Sequence, residues 1–330
     1  MKHFHDRLPS DAVTAAAVFL AAMCVGMAQF FQDGGRFPVG DRWPAEDLSH
    51  YRAAVMMAAG KGYQTPAGDV FPERFEQFMA LERTSLTSDA LRDMTALGMD
   101  PFQARHRYLG YAMALTWALL GLSWYSLKVR LLLFFGIGVV VVYLLLRLGM
   151  SRAFSAGGAM LFALSPIVLS LMMQIRDFSK TPLMLGVLLL LTSLAMRPAN
   201  RRRYFTYAAA TGALVGVGLG FRQDFTVCIP PALVILAFCP RVEAAVPVRQ
   251  RLVAIGLMLG FLAIAGFPIL VARARMSTLS HHYAIMGLAT SHEAKMGMAR
   301  ASYQLMPCPR DHFSHATRSS YAVRVLDELP

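Results

Sequence analysis

Three groups of charged residues stand beside apolar stretches of this sequence, and their types suit the binding of a phosphate-linked ligand. They are Glu46 with Asp47, then Arg176, Asp177 and Lys180, and lastly Arg222 with Asp224. An arginine offers a planar fork of donors that fits phosphate oxygens, and a lysine offers a point charge. A carboxylate near two such cations is the arrangement expected for a phosphate-linked substrate and an acceptor that must lose a proton.

Each group also has a structural explanation, which the residues alone leave open. Arg176 could form a salt bridge at a helix end, with Asp177 or Lys180 as its neighbour. Arg222 and Asp224 could pair within a tight turn, and Asp47 could cap a helix N-terminus. The histidines are scattered or adjacent rather than spaced as ligands, so we predict neither a metal site nor a cofactor.

The composition indicates a polytopic membrane protein. Of 330 residues, 56% are hydrophobic and 16% are charged, against about 25% charged residues in soluble domains. The net charge is +12, but the basic residues fall in short loops between apolar runs, as the positive-inside rule describes. We therefore predict the lipid bilayer as a partner and no nucleic acid. The four cysteines suggest no disulfide framework.

The apolar runs predict an all-α, polytopic membrane helix bundle of about eight or nine spans. The runs are 12–31, 108–126, 131–150, 153–173, 182–196, 204–221, 225–239 and 252–271. The bundle would cover residues 1–271, and 272–330 would be a short polar extracytoplasmic tail or the start of a small soluble domain. We predict an uncleaved first helix in a bacterial inner membrane, with the N-terminus in the cytoplasm.

The polar segment 32–107 predicts a long first extracytoplasmic loop. After the Glu46-Asp47 pair, an apolar helix should begin near Tyr51 and stop at Gly60 or Gly62, since glycine favours a helix C-terminus. Residues 71–97 predict one or two amphipathic helices lying on the outer surface. The apolar positions with helical spacing are Phe75, Met79, Leu81, Leu86 and Leu91.

Basic loops predict which ends of the spans face the cytoplasm. The three cytoplasmic groups would be Lys128 with Arg130, then Arg197 with Arg201, Arg202 and Arg203, and lastly Arg241, Arg249 and Arg251. Three runs lie between the first two groups, where an even number is needed. A break at Pro166 could turn 153–173 into a hairpin, or that segment could lie on the surface. RDFSK at 176–180 and the turn 220–225 would then share the outer side with Asp47. A kinked full span would instead place RDFSK inside.

The sequence DLSHY at 47–51, followed by AAGKGYQTP at 58–66, resembles the multi-spanning GT-C glycosyltransferases. These enzymes, among them protein O-mannosyltransferases and bacterial aminoarabinose transferases, have one span and then an outer loop with a motif close to Asp-Glu-x-Arg-Tyr. Leu48 and His50 replace the Glu and Arg of that motif here. The run FALSPIVLSLMMQIRDFSKTPLMLGVLLLLTSL at 162–194 resembles the family's Ser-Pro helix and charged turn.

The resemblance implies transfer of a sugar from a polyprenyl-phosphate carrier to an acceptor on the extracytoplasmic face, without a metal. Asp47 would be the catalytic carboxylate, and the lipid phosphate would be held by cationic side chains. The implied substrate-binding residues are Glu46, Tyr51, Arg176, Asp177, Lys180, Arg222 and Asp224. The residues leave two alternatives open, a transporter or lipid flippase and a non-catalytic membrane subunit.

Overall fold

The computed structural model describes residues 8–32, 51–67, 71–99, 101–197, 200–238 and 247–275. The predicted site residues Glu46 and Asp47 lie outside these ranges, as does nearly all of the predicted tail 272–330. The chain divides into two compact units, Met1–Leu270 and Val271–Pro330. Of the second unit, residues 271–275 are described, and they end a long helix.

Helices make up most of the described chain. They are α1 (Leu8–Gln32), α2 (Arg52–Ala58), α3 (Glu73–Met79), α4 (Pro101–Arg105), α5 (Arg107–Leu120), α6 (Trp124–Leu146), α7 (Arg152–Leu164), α8 (Pro166–Met172), α9 (Ile175–Ser179), α10 (Thr181–Met196), α11 (Arg201–Leu219), α12 (Ile229–Phe238) and α13 (Val248–Arg275). Short 3₁₀ helices cover Ser88–Leu91 and Gln223–Cys228. Strands β1 (Thr65–Pro66) and β2 (Ala96–Leu97) pair antiparallel.

Several of these helices are long and apolar enough to cross a membrane. Four stretches meet that description within the described ranges: Asp11–Phe31, Trp124–Leu146, Ile175–Met196 and Val248–Ala274. The bent pair α7 and α8 makes a fifth if it counts as one span. An all-α fold with candidate membrane-spanning helices is therefore confirmed. The predicted eight or nine spans exceed what these helices provide.

The antiparallel pair α1 and α6 defines the two ends of the bundle. At one end, Arg147 donates a hydrogen bond of 3.1 Å from Nη2 to Asp11 Oδ2. At the other end, Lys128 Nζ lies 5.1 Å from the centre of the Phe30 ring. Between them Gly136 allows close approach, since a Cβ there would lie 2.6 Å from the Phe19 ring. We call these the Asp11 end and the loop end, because residues 51–67 and 71–99 pack at the second.

A layer of loop segments and α5, which we call the loop layer, surrounds the start of α6. Trp124 donates a hydrogen bond of 2.8 Å from Nε1 to the carbonyl of Phe78, and the two rings stack with centroids 5.1 Å apart. Leu86 donates from its backbone N–H to the Leu122 carbonyl at 2.8 Å. The buried side chains of this layer include Phe75, Phe78, Met79, Leu86, Leu91, Trp117 and Trp124.

The loop layer corrects the predicted amphipathic helices over 71–97. Helix α3 has seven residues, it is followed by Leu81 at a φ of 64°, and the next helical turn is Ser88–Leu91. The apolar side chains are covered by protein, because Trp117 and Trp124 pack over them. Helical spacing alone cannot tell a membrane surface from a protein surface. The predicted helix from Tyr51 is confirmed as α2, and Gly60 follows it with a φ of 82°.

Helix α5 corrects the predicted span 108–126. It has 14 residues and is thus about 21 Å long, which is shorter than the roughly 30 Å hydrocarbon core of a bilayer. Leu109 donates from its backbone N–H to the Gly220 carbonyl at 3.2 Å, near the first residues of the helix. Just past its last residue, Ser123 Oγ donates to the Thr84 carbonyl at 3.1 Å. Both ends of α5 therefore lie at the loop end.

The positions of the basic residues correct one part of the predicted topology. Lys128 and Arg130 are buried in the first turns of α6 at the loop end, rather than exposed in a cytoplasmic loop. Arg197 lies at the opposite end, where Nη2 donates to the Arg147 carbonyl at 3.2 Å. The predicted grouping fails because charge near an apolar run does not show whether the side chain is exposed.

The predicted hairpin at Pro166 is also corrected. Helices α7 and α8 are bent by 61° at Ser165, so the chain changes direction without returning. Arg152 at the start of α7 pairs with Asp11 at 3.2 Å, and Met172 at the end of α8 lies beside Gly26 of α1. The bent pair therefore runs from the Asp11 end towards the loop end. The segment 176–180 follows α8 and therefore lies at the loop end. A kinked full span would place this segment in the cytoplasm only if Lys128 and Arg130 were themselves on the cytoplasmic side.

Candidate functional site

Five of the predicted site residues meet in one cluster at the loop end, which we call the charged network. Arg222 pairs with Asp177, and Lys180 pairs with Asp224. Arg176 Nε lies 3.6 Å from Asp177 Oδ1, and Arg222 Nε lies 3.4 Å from Asp224 Oδ2. Residues more than 40 positions apart in the chain therefore form one group of ionic contacts.

Two short segments position the charged network. In α9, the side chains of Ile175, Phe178 and Ser179 are buried. The charged side chains of the same helix, Arg176 and Asp177, therefore point away from that buried side. Pro182 lies in the first turn of α10, where a proline needs no backbone donor and starts a helix readily. On the other side of the network, Gly218 and Gly220 admit the rings of Phe225 and Tyr108, because a Cβ at either glycine would lie 2.2 Å from its ring.

The charged network is half-buried and holds more cations than carboxylates among the described residues. Its side chains are between 19% and 39% exposed, so solvent screens the pairs only in part. Three cations, Arg176, Lys180 and Arg222, face the two carboxylates of Asp177 and Asp224. Asp224 Oδ1 is buried and accepts no hydrogen bond from the described residues. The cluster can therefore bind an anion and still offer a carboxylate oxygen to a donor.

Tyr51 lies close to α6 rather than inside the charged network. It is buried, and its ring packs edge-to-face on Trp124 with centroids 6.5 Å apart. It directly precedes α2, whose next residues are also buried. The structure thus brings five predicted residues together and places Tyr51 in the adjoining loop layer. Glu46 and Asp47, the remaining two, fall outside the described ranges.

Arg130 is a candidate functional residue that the sequence argument assigned to a cytoplasmic loop. It is 5% exposed, and its guanidinium carbon lies 5.8 Å from the centre of the Phe134 ring. The Phe134 ring in turn lies 6.3 Å from that of Phe221, the neighbour of Arg222. The sequence did carry a signal, since WYSLKVRLLL at 124–133 contains no glycine, proline, asparagine or aspartate and is compatible with one continuous helix.

A second charged cluster among the described residues lies at the Asp11 end. Asp11 accepts hydrogen bonds from Arg147 and Arg152, and from Tyr143 Oη at 3.4 Å. The hydrogen bond with Asp11 raises the pKa of Arg147, so this guanidinium stays charged at any physiological pH. This cluster links α1 to α6 and α7, because both oxygens of the Asp11 carboxylate accept hydrogen bonds from the two arginines.

An apolar groove of about 470 Å³ also lies towards the Asp11 end, between α6 and α7. Its lining consists of Leu146, Met150, Ser151, Ala153, Phe154, Gly157, Gly158 and Leu161. It holds no charged side chain and lies away from the charged network, so it does not contribute to that site. Within the described ranges, no group of three or more His, Cys, Asp or Glu residues could hold a metal ion.

Comparisons with protein-family models, with curated proteins and with solved structures find no match to this chain. Three cations and a carboxylate oxygen that accepts no hydrogen bond from the described residues lie together at one end of a bundle of apolar helices, and such a group suits an anionic ligand.

Proposed function

We propose that this chain is a membrane glycosyltransferase-like protein that transfers a sugar from a polyprenyl-phosphate carrier to an acceptor at the loop end. The observation that carries the proposal is the charged network, which gathers three cations and two carboxylates beside apolar helices. A lipid-phosphate donor needs such a place, since its phosphate must be neutralised close to the membrane while its chain stays in lipid.

We further propose that the loop end faces the extracytoplasmic side of a bacterial inner membrane and that the N-terminus is cytoplasmic. The support is the short connections between apolar helices at the Asp11 end, which are rich in arginine as the positive-inside rule expects of a cytoplasmic face, whereas the arginines of the long loop layer are interspersed with acidic residues. The described arginines there are Arg147, Arg152, Arg197, Arg201, Arg202, Arg203, Arg249 and Arg251. The carrier-linked sugar would then be used on the outer face.

In the proposed reaction, the Asp47 carboxylate takes a proton from the acceptor hydroxyl or amine while the acceptor atom bonds to the sugar's anomeric carbon. The bond between that carbon and the lipid-phosphate oxygen breaks, and its electron pair stays on the phosphate. Lys180 and Arg222, with Arg176 beside them, stabilise the added negative charge. In this scheme Glu46, Tyr51, Asp177 and Asp224 orient the ligand and the cations.

The experiment is a transfer assay with the full chain reconstituted in proteoliposomes. Individual polyprenyl-phosphate sugars are supplied with the aqueous acceptors of a cell extract, and free polyprenyl phosphate is measured by mass spectrometry. Asp47→Asn should abolish release while the protein remains inserted. Arg222→Gln should raise the donor KM by about tenfold or more, the equivalent of one lost charge-assisted contact. Arg92→Gln is the matched control, since that side chain is 78% exposed.

A specific observation favours a second candidate, a transporter or lipid flippase. Helices α7 and α8 form a span broken by 61°, and broken helices often line the substrate site of transporters. In the same proteoliposomes, a flippase would move a labelled polyprenyl phosphate between leaflets without releasing sugar. Movement of the labelled lipid between leaflets without release of sugar would reject the glycosyltransferase proposal and support a flippase. Binding with neither movement nor release would indicate a non-catalytic membrane subunit.

A further inference from the structure

Arg130 is buried in α6, and no described residue neutralises the positive charge of its guanidinium group. It lies six residues after the start of the helix, about 9 Å into the candidate membrane span Trp124–Leu146. The residue is 5% exposed. Its Nε, Nη1 and Nη2 atoms are all buried and have no hydrogen-bond partner among the described residues.

The neighbours of Arg130 are aromatic rather than acidic. Its guanidinium carbon is 5.8 Å from the centre of the Phe134 ring, a distance that gives a weak cation–π contact. Tyr51, across from it in the loop layer, lies near enough to interact with it electrostatically. A phenol and a phenyl ring can surround a guanidinium, but neither neutralises its charge.

Arg147 in the same chain differs from Arg130, because its guanidinium donors have hydrogen-bond partners. Arg147, at the far end of the helix, donates to both oxygens of Asp11 at 3.3 and 3.1 Å and to the Met150 carbonyl at 2.6 Å. A guanidinium does not lose its proton to escape burial, because its pKa is too high. An unpaired buried charge is strongly destabilising, and ionisable groups inside spans are therefore functional candidates by default.

We propose that Arg130 binds the phosphate group of a membrane lipid ligand, at an anion position separate from the charged network. The guanidinium fork fits phosphate oxygens, and its depth in the span suits a headgroup attached to a chain in the bilayer. Arg130 takes no part in the ionic contacts of the charged network, and its guanidinium lies beside the Phe134 ring rather than beside Asp177 or Asp224. This assignment shares the ligand class of the proposed function but claims binding alone, without transfer.

The test uses the full chain in detergent, with Arg130→Met and Arg130→Lys compared with the original protein. The probes are a long-chain polyprenyl phosphate, the neutral polyprenol of the same length, and inorganic phosphate. We expect Arg130→Met to bind the polyprenyl phosphate at least about tenfold more weakly, with Arg130→Lys between the two and polyprenol binding unchanged. Without any probe, Arg130→Met should be as stable to heat as the original protein or more stable. Arg92→Met is the matched control and should bind like the original.

Two results would overturn the assignment of Arg130. A marked loss of thermal stability in Arg130→Met without probe would show that a group within the chain already pairs with the guanidinium. Unchanged polyprenyl-phosphate binding in Arg130→Met would show that the phosphate is held elsewhere. If Arg222→Gln alone lost binding, the proposed function would survive and the Arg130 site would not.

The remaining outcomes separate the ligand sources and the two proposals. Equal affinity for inorganic and polyprenyl phosphate, both lost in Arg130→Met, would overturn the lipid part of the assignment in favour of a free anion. No binding of polyprenyl phosphate by the original protein would overturn both proposals. Arg130-dependent binding together with an absence of sugar release in the transfer assay would support the Arg130 site and reject the proposed function.

Discussion

Asp11 Oδ2 lies 3.1 Å from Arg147 Nη2, although 136 positions separate the two residues in the chain. Arg152 Nε lies 3.2 Å from the other oxygen of the same carboxylate. One side chain of α1 thus holds the end of α6 and the start of α7. The carboxylate is 28% exposed and Arg147 is 17% exposed, so both are shielded from most of the solvent.

We predict that Asp11→Asn lowers the free energy of unfolding by on the order of 1–3 kcal/mol, since two arginines lose a charged acceptor. The raised pKa of Arg147 means that the contribution of this guanidinium is fully present at neutral pH and decreases as the pH rises through that pKa, above the ordinary arginine value; protonation of the Asp11 carboxylate in acid also removes the charged acceptor. Thermal unfolding in detergent, followed by circular dichroism, measures the effect. Asp89→Asn, whose partner Arg92 is also exposed, should change little, and an equal loss in both variants would contradict the prediction.

A second prediction concerns the contact between α11 and α13. A Cβ at Gly212 would lie 2.0 Å from the Met258 carbonyl oxygen, and one at Gly216 would lie 2.7 Å from that of Leu262. Backbone atoms cannot move aside as a flexible side chain can, so the two helices would have to separate. Gly212→Ala should therefore lower the unfolding temperature, by the equivalent of roughly 1–3 kcal/mol.

The matched control for Gly212 is Gly256→Ala on α13, where a Cβ would meet nothing within 4 Å. Alanine has a higher helix propensity than glycine, so the Gly256→Ala variant should be as stable as the original protein or more stable. Thermal unfolding of the two variants side by side decides the question. Equal stability of Gly212→Ala and Gly256→Ala would mean that α11 and α13 do not approach each other this closely.

A third prediction tests the placement of the α5–α6 turn. Ser85 and Ser123 lie opposite each other in an antiparallel bridge, which puts their Cα atoms within the range that a disulfide spans. Ser85→Cys with Ser123→Cys, in a background without native cysteines, should crosslink on mild oxidation in membranes. Ser85→Cys with Ser151→Cys should not crosslink, since Ser151 lies beside Arg152 at the Asp11 end. A gel shift on reduction of the proteolysed chain reports the bond.

A fourth prediction concerns sidedness. Asp89 lies in the loop layer with its side chain 85% exposed, and Arg202 lies exposed at the start of α11. If the Asp11 end faces the cytoplasm, Asp89→Cys should react with an impermeant thiol reagent in intact spheroplasts. Arg202→Cys should react only after permeabilisation. The reverse pattern would place the charged network on the cytoplasmic side and remove the basis for extracytoplasmic transfer.

Much of the bundle follows from the sequence because its cause is local. Long apolar runs predict helices in lipid wherever they occur, and Gly60 after an apolar stretch predicts the end of α2. The convergence of Arg176, Lys180 and Arg222 was also predictable, because the apolar runs between them require the chain to return to one end.

The sequence could not show which apolar residues are covered by protein. Phe78 and Trp124 stack on each other although 46 positions separate them, and nothing near either residue identifies its partner. The same limit explains the error at Lys128 and Arg130. Their charges were counted as a loop signal, whereas burial by the loop layer places them inside the helix that follows.

The contacts of α5 have a consequence for the biosynthesis of this protein. Tyr108 Oη donates to the Ala265 carbonyl, 157 positions later, and the N–H of Leu109 donates to the Gly220 carbonyl. The segment 51–99 leaves the ribosome long before either partner, so α5 gains its support only after α11 and α13 have been inserted. The attachment of α5 to the rest of the bundle is therefore a late event, although the residues of α5 are synthesised early.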